Sequence, residues 1–186
     1  TRDERWVCIW TRDTLRASAL SLVGEPERSA AVLLEPPESA PIIVFGTVLP
    51  WRGDKRDSVL RGGAAFASSL DAQETDVSRL RAERPDARFW LLGDLNQEVE
   101  KDGPVGTAIG RRSLRHFLDR QHLTALTGNG GDPLRLRGWR DSIDHIVVDA
   151  ASASRAATPS VWPGTFPLPG APWPDHHGVE VSLAAV

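Results

Sequence analysis

Three short segments set carboxylates, a carboxamide and histidines where a folded chain must account for them. "GDLN" (93–96) ends the apolar run "RFWLLGD" (88–94). Residues two apart on a strand share a side, so Asp94 and Asn96 would face one cavity while Leu95 turns into its wall. Gly93 would permit a close backbone approach. A carboxylate placed there can take a proton from water, and a neighbouring carboxamide can orient that water or a phosphoryl oxygen. Gly, Asp and Asn are equally the residues of a plain turn. "SIDHIVV" (142–148) sets Asp144 among apolar neighbours, where an unpaired charge is costly. Its partner would be a histidine, whose tautomer and protonated form a carboxylate supports, or one of the many arginines. "PDHHGVEV" (174–181) offers Asp175, a metal-ligating oxygen, beside His176, a proton donor; a polar loop would look the same.

The elements that must position these groups can be read from periodicity. "WVCIWT" (6–11), "RSAAVLLEP" (28–36), "APIIVFGTVLPW" (40–51), "RFWLLGD" and "DSIDHIVVDA" (141–150) read as strands. The unbroken apolar run Ile42–Phe45 suits a strand covered on both faces. Ala65, Phe66, Leu70, Val77 and Leu80 recur at helical spacing before Pro85, predicting a helix over 62–83. Leu114, Phe117 and Leu118 predict a second over 111–122. "LTALT" reads as a brief strand, "VEVSLAA" (179–185) as a closing one. The Gly/Pro-rich segments 102–110, 128–140 and 159–178 read as loops, of the kind that carry function. Strands outnumber interspersed helices, so the expected class is α/β, a layered, helix-covered sandwich.

With 186 residues, 40% of them hydrophobic, the chain has material for one sizeable core, and a single domain over 1–186 is expected. A net charge of −3 gives no basic footprint of a stable nucleic-acid binder, which leaves room for an enzyme that meets nucleic acid briefly. Cys8 is the single cysteine, so no intrachain disulfide forms and a cytoplasmic location is the default expectation. No apolar run approaches the ~20 residues of a membrane span. The sequence contains no methionine, so Thr1 is expected to follow a removed leader or further upstream chain.

Taken in order, a strand ending in GDxN, a strand carrying xIDHI and a DHH entering the last strand resemble the endonuclease/exonuclease/phosphatase superfamily. The resemblance runs from about Val7 to the C-terminus. It implies a DNase I-like fold, two mostly antiparallel sheets face to face with helices on the outer faces, and an active site at one rim. It implies a divalent-metal-dependent phosphoesterase using Mg²⁺, with Mn²⁺ as an alternative, on DNA, RNA, a lipid or a small phosphate ester. By resemblance Asp94 orients or deprotonates the attacking water and Asn96 bonds the phosphoryl oxygens. His176, held by Asp144, stabilises the charge building at phosphorus, and Asp175 contributes to the metal site. In-line displacement at phosphorus needs these parts whatever the family.

Two departures stand beside the resemblance. Val48 occupies the position where members commonly carry His or Tyr, with Trp51, Arg52 or Asp54 as nearby substitutes. The family's first strand with its Asn, and the metal-binding Glu that follows, have no counterpart before "WVCIWT". These departures support an alternative, a catalytically degenerate member that binds a partner through the same rim.

Overall fold

The computed structural model describes residues 5–12, 14–54, 60–99, 105–128, 130–139, 141–162 and 176–184. Six strands form one sheet in the order β1(Arg16–Leu20), β2(Ser29–Glu35), β3(Ile42–Val48), β4(Arg88–Asp94), β6(Asp144–Asp149), β5(Leu123–Ala125). All neighbours run antiparallel except β3 and β4, which are parallel. That one parallel pair requires a long crossover, and α1(Gly63–Glu83) supplies it. A second, two-stranded sheet pairs β7(Ser160–Val161) with β8(Val179–Glu180).

Helix α1 has no side-chain N-cap and no acidic residue in its first turn, so packing rather than end chemistry holds it. Phe66, Leu70, Gln73, Val77 and Leu80 form its buried stripe, spaced as one helix face demands. The stripe meets Ile43, Phe45, Phe89 and Leu91 in a single core. Gln73 is the polar member, accepting from Thr47 Oγ1 at 2.6 Å and donating to Glu25 at 3.1 Å. Helix α2(Ala108–Arg120) packs beside α1. It begins three residues before the predicted start because Thr107 caps it, its hydroxyl accepting the Gly110 amide at 2.9 Å.

The other face of the sheet carries Val44, Gly46, Trp90, Leu92, Ile146 and Val148. There the predicted strand 6–11 belongs to neither sheet. Its Val7 and Ile9 lie over Gly46, where a Cβ would come within 2.6 Å of Val7 Cγ1. The aromatic and β-branched pattern was met by packing across strands instead of pairing with them. The closing strand predicted over 179–185 is short, two residues of ladder plus an Ala156–Leu183 bridge. β1, largely exposed at the sheet edge, had no apolar pattern to announce it, and Ala150–Ala153 adds a single-turn helix, α3. The layered α/β expectation holds, with both long helices on one outer face.

Candidate active site

The pleat decides where the charged groups go. Trp90, Leu92 and Asp94 alternate onto the face away from α1, and in the antiparallel β4–β6 register Asp94 lies directly opposite Asp144. Two carboxylates therefore meet at the end of the strand pair. Gly93, with φ 146°, makes this possible, since a Cβ there would sit 1.9 Å from the Thr47 carbonyl oxygen of β3.

Beyond Asp94 the chain turns sharply. Leu95 is fully buried, as the alternation predicted, and its amide donates to the Ile143 carbonyl at 2.8 Å. Asn96 takes a left-handed φ of 50°, which Asn tolerates better than most residues. Its backbone amide donates to Asp94 Oδ1 at 2.9 Å, and its Nδ2 donates to Asp94 Oδ2 at 2.8 Å and to the Leu49 carbonyl at 2.9 Å. Both amide hydrogens are thus directed at fixed acceptors, leaving Oδ1 as the atom turned to other uses.

His176 Nδ1 lies 2.6 Å from Asp144 Oδ2. The carboxylate accepts, so Nδ1 carries the proton. Ligand atoms of Asp94, Asp144 and His176 all lie within 4.8 Å of one another. Burial, then the facing Asp144, push the Asp94 carboxyl up to about 6, against the opposing pull of its bonds to Asn96 and of His176. Four of the five residues singled out in the sequence, Asp94, Asn96, Asp144 and His176, converge here. Asp175 lies outside the described residues.

Val48 is the direct partner of Asp94 on β3 and brings no polar atom to the rim. Of the suggested substitutes, Asp54 is committed to a buried ion pair with Arg28, and Trp51 rests on Trp6 with ring centroids 6.0 Å apart. Beside the cluster, Trp139 stacks on His177 at 4.5 Å. A small cavity of about 40 Å³ opens between Val105, Leu134, Ile143 and the Asp144–His176 pair. A groove of about 730 Å³ runs from Asp144 and His176 along Leu92, Ile146 and Val148 toward Leu183.

Several supporting residues were not singled out in the sequence. Asp132 takes the Leu134 amide on one oxygen and the Ser142 amide on the other, at 2.9 and 2.6 Å. It thereby folds the 132–139 excursion back against the strand that bears Asp144. Gln97 accepts the Thr107 amide at 2.9 Å, and Glu98 accepts that of Val105 at 3.0 Å. Burial is the main cause that holds the Glu98 carboxyl above its ordinary range. The spacing Asp132-x9-Ser142 could have suggested a closed loop; nothing marked Gln97 or Glu98.

Among the described residues no helix is long and apolar enough to cross a membrane. No family model and no curated protein matches the chain. Solved structures do. The AP endonuclease LMAP from Leishmania major superposes with a TM-score of 0.66 at 18% identity, over 94% of this chain and 63% of that one. The endonuclease domain of TRAS1, a telomere-specific non-LTR retrotransposon, gives 0.61 at 13%, over 94% and 71%. The 3′ phosphatase NExo from Neisseria, bound to product DNA hairpin, gives 0.60 at 18%, over 91% and 70%. The chain spans less than two thirds of the length of LMAP. What these structures share with it is the architecture: the chain adopts a DNase I-like fold.

Proposed function

We propose that this chain is a divalent-metal-dependent phosphoester hydrolase, and that its substrate is a nucleic-acid phosphoester. The observation that carries the reading is the convergence of Asp94, Asp144 and His176 within 4.8 Å, with Asn96 bonded to Asp94. Ionised Asp94 accepts the proton of an attacking water. Asn96 holds that carboxylate in one orientation through two bonds. His176, its Nδ1 proton held by Asp144, presents Nε2 to a phosphoryl or leaving-group oxygen, where a protonated imidazole stabilises developing charge. The names of the similar structures, an AP endonuclease, a retrotransposon endonuclease domain and a 3′ phosphatase, support nucleic acid as the substrate class. So does the Trp139–His177 stack beside the cluster, a surface on which a base could rest.

The donor set suits a hard divalent cation. Two carboxylates face each other, and among the described residues no Lys or Arg side chain forms an ion pair with either. Asp94 and Asp144 would hold Mg²⁺ or Mn²⁺, with Asp175 the further ligand that the resemblance implies. Such an ion supplies charge neutralisation at the phosphoryl oxygens. The degenerate-scaffold reading rests on Val48, the apolar partner of Asp94.

Hydrolysis of a 3′-phosphorylated DNA hairpin, an abasic duplex and bis(p-nitrophenyl) phosphate, in Mg²⁺ and in EDTA, separates the two. Mg²⁺-dependent turnover is expected. Asp94→Ala and His176→Ala should each lower it by at least about 10²-fold with the urea midpoint retained. Undiminished turnover in EDTA or in either variant would refute the assignment; complete inactivity on all three substrates favours the scaffold.

A further inference from the structure

His145 follows Asp144 directly, and the strand pleat sends its ring to the opposite, helix-covered face, where it is buried. There it makes two bonds. Nε2 lies 2.9 Å from the Gln97 carbonyl oxygen, and a carbonyl can only accept, so Nε2 bears the hydrogen. Nδ1 lies 3.0 Å from Thr127 Oγ1, which itself accepts the Ile146 amide at 3.1 Å. The Thr127 hydroxyl therefore donates its proton to Nδ1. The ring is a neutral bridge with its tautomer set from both sides, and it reaches no reacting atom.

What the bridge joins is informative. Gln97 directly follows Asn96, and its side chain is wedged against the start of α2, its Oε1 accepting from Thr107 while Gly106 and Gly110 leave it room. The turn that places Asn96 and orients Asp94 is thus pinned to α2 by the Gln97 side chain and to β6 by His145. Asp144 sits on that same strand, one residue away. We propose that His145 is a positioning residue, which holds the Asn96–Gln97 turn in register with Asp144 so that the two halves of the site keep their spacing. The catalytic part of this inference rests on the hydrolase reading above.

Two near-isosteric substitutions test it. In His145→Gln the side-chain amide reaches the place of Nε2 and can still donate to Gln97. In His145→Asn a polar atom remains only near Nδ1, so the Thr127 contact survives and the Gln97 link is lost. Measured per folded molecule, kcat of His145→Gln should stay within about threefold of the unsubstituted chain. That of His145→Asn should fall about 10²-fold, the usual consequence of a misplacement near 1 Å, with KM unchanged. Hydrogen exchange supplies a readout that needs no activity: protection of the Leu95 and Asn96 amides should drop about tenfold in His145→Asn and hold in His145→Gln, with β2–β3 unaffected in both. Thr127→Val, which keeps side-chain shape, should shift exchange at Leu95 and Asn96 in the same direction by a smaller factor. Equal losses in the two His145 variants, or unchanged exchange at Leu95 and Asn96 in both His145→Asn and Thr127→Val, overturn the proposal. If the unsubstituted chain hydrolyses nothing, the hydrolase reading fails and the exchange comparison still decides this one.

Discussion

The two faces of the six-stranded sheet are built from the same strands, one residue out of phase, and they end differently. On one face Ile43, Phe45, Phe89, Leu91 and Val147 meet the buried stripe of α1 and the Leu114–Phe117–Leu118 side of α2. Side chains there are close-packed, and the polar Thr47, Gln73 and His145 among them are bonded. On the other face the described residues give a thinner second layer, residues 5–12 over β3 and the β7–β8 pair beside β6. A groove floored by Leu92, Ile146 and Val148 runs beside β8. Asp94, Asp144 and His176 stand at the end of this second face. Among the described residues the helix-covered face supplies rigidity, and the groove side carries the two facing carboxylates.

The comparison predicts unequal costs for equal truncations. Phe66→Ala, in the helix-covered layer, should lower unfolding free energy by about 3–5 kcal/mol. Trp90→Ala, half-buried on the groove side, removes a larger side chain and the 2.9 Å bond from its indole to Ser152, yet should cost only ~2 kcal/mol. Urea denaturation of both decides. A Trp90 cost equal to that of Phe66 would show that the groove side is as tightly covered as the helix side, and the contrast would break.

Gly93→Ala probes the seam between the faces. With φ at 146° and the Thr47 carbonyl oxygen 1.9 Å from the added carbon, β3 and β4 must part or β4 must tilt. The expected loss is on the order of 1–3 kcal/mol, smaller than the Phe66 truncation, together with loss of turnover because Asp94 moves with the strand. A variant of wild-type stability and activity would mean that the parallel pair is looser than its geometry indicates.

How much of this was legible follows the same division. The helix-covered face was readable because burial writes periodic patterns. The Phe66–Leu80 spacing gave α1 nearly to the residue, and the strand read over 40–51 contains β3 at Ile42–Val48. Asp94 and Asp144 were readable because each interrupts such a pattern with a charge, and His176 because it stands in order with them. The groove side was not. Residues 6–11 carry a strand-like pattern, but pairing needs a partner edge, which no local sequence reveals, and the segment satisfies its apolar side by lying on Gly46. β1 is exposed and so unpatterned. Gln97, Thr127 and Asp132 act through backbone groups distant in sequence, and a single polar residue advertises no such acceptor. His145 was visible but its bonds were not, because alternation places it on the face away from Asp94 and Asp144.

The smallest effect is the most discriminating about the groove side. Asp94 titrates near 6 in the folded chain against an ordinary value of 3.8. Below about pH 4 it is protonated in both the folded and the unfolded chain, and its full contribution to stability is present. Between pH 4 and 6 the unfolded chain gives up the proton first and therefore binds fewer protons than the folded one, so stability falls as pH rises. Above 6 the loss is complete, because the folded chain then holds a buried carboxylate that also faces Asp144. Asp94→Asn keeps the shape and an acceptor for the Asn96 amide but cannot ionise. It should be more stable than the unsubstituted chain at pH 8 by roughly 1 kcal/mol, the shift discounted for partial solvent screening, and no more stable at pH 3.5. Millimolar Mg²⁺ at pH 8 should close the gap by stabilising only the chain that has both carboxylates. A gap that is absent at pH 8, or that persists unchanged at pH 3.5, would mean that the Asp94–Asp144 pair carries no strain of charge and gives a cation nothing to relieve.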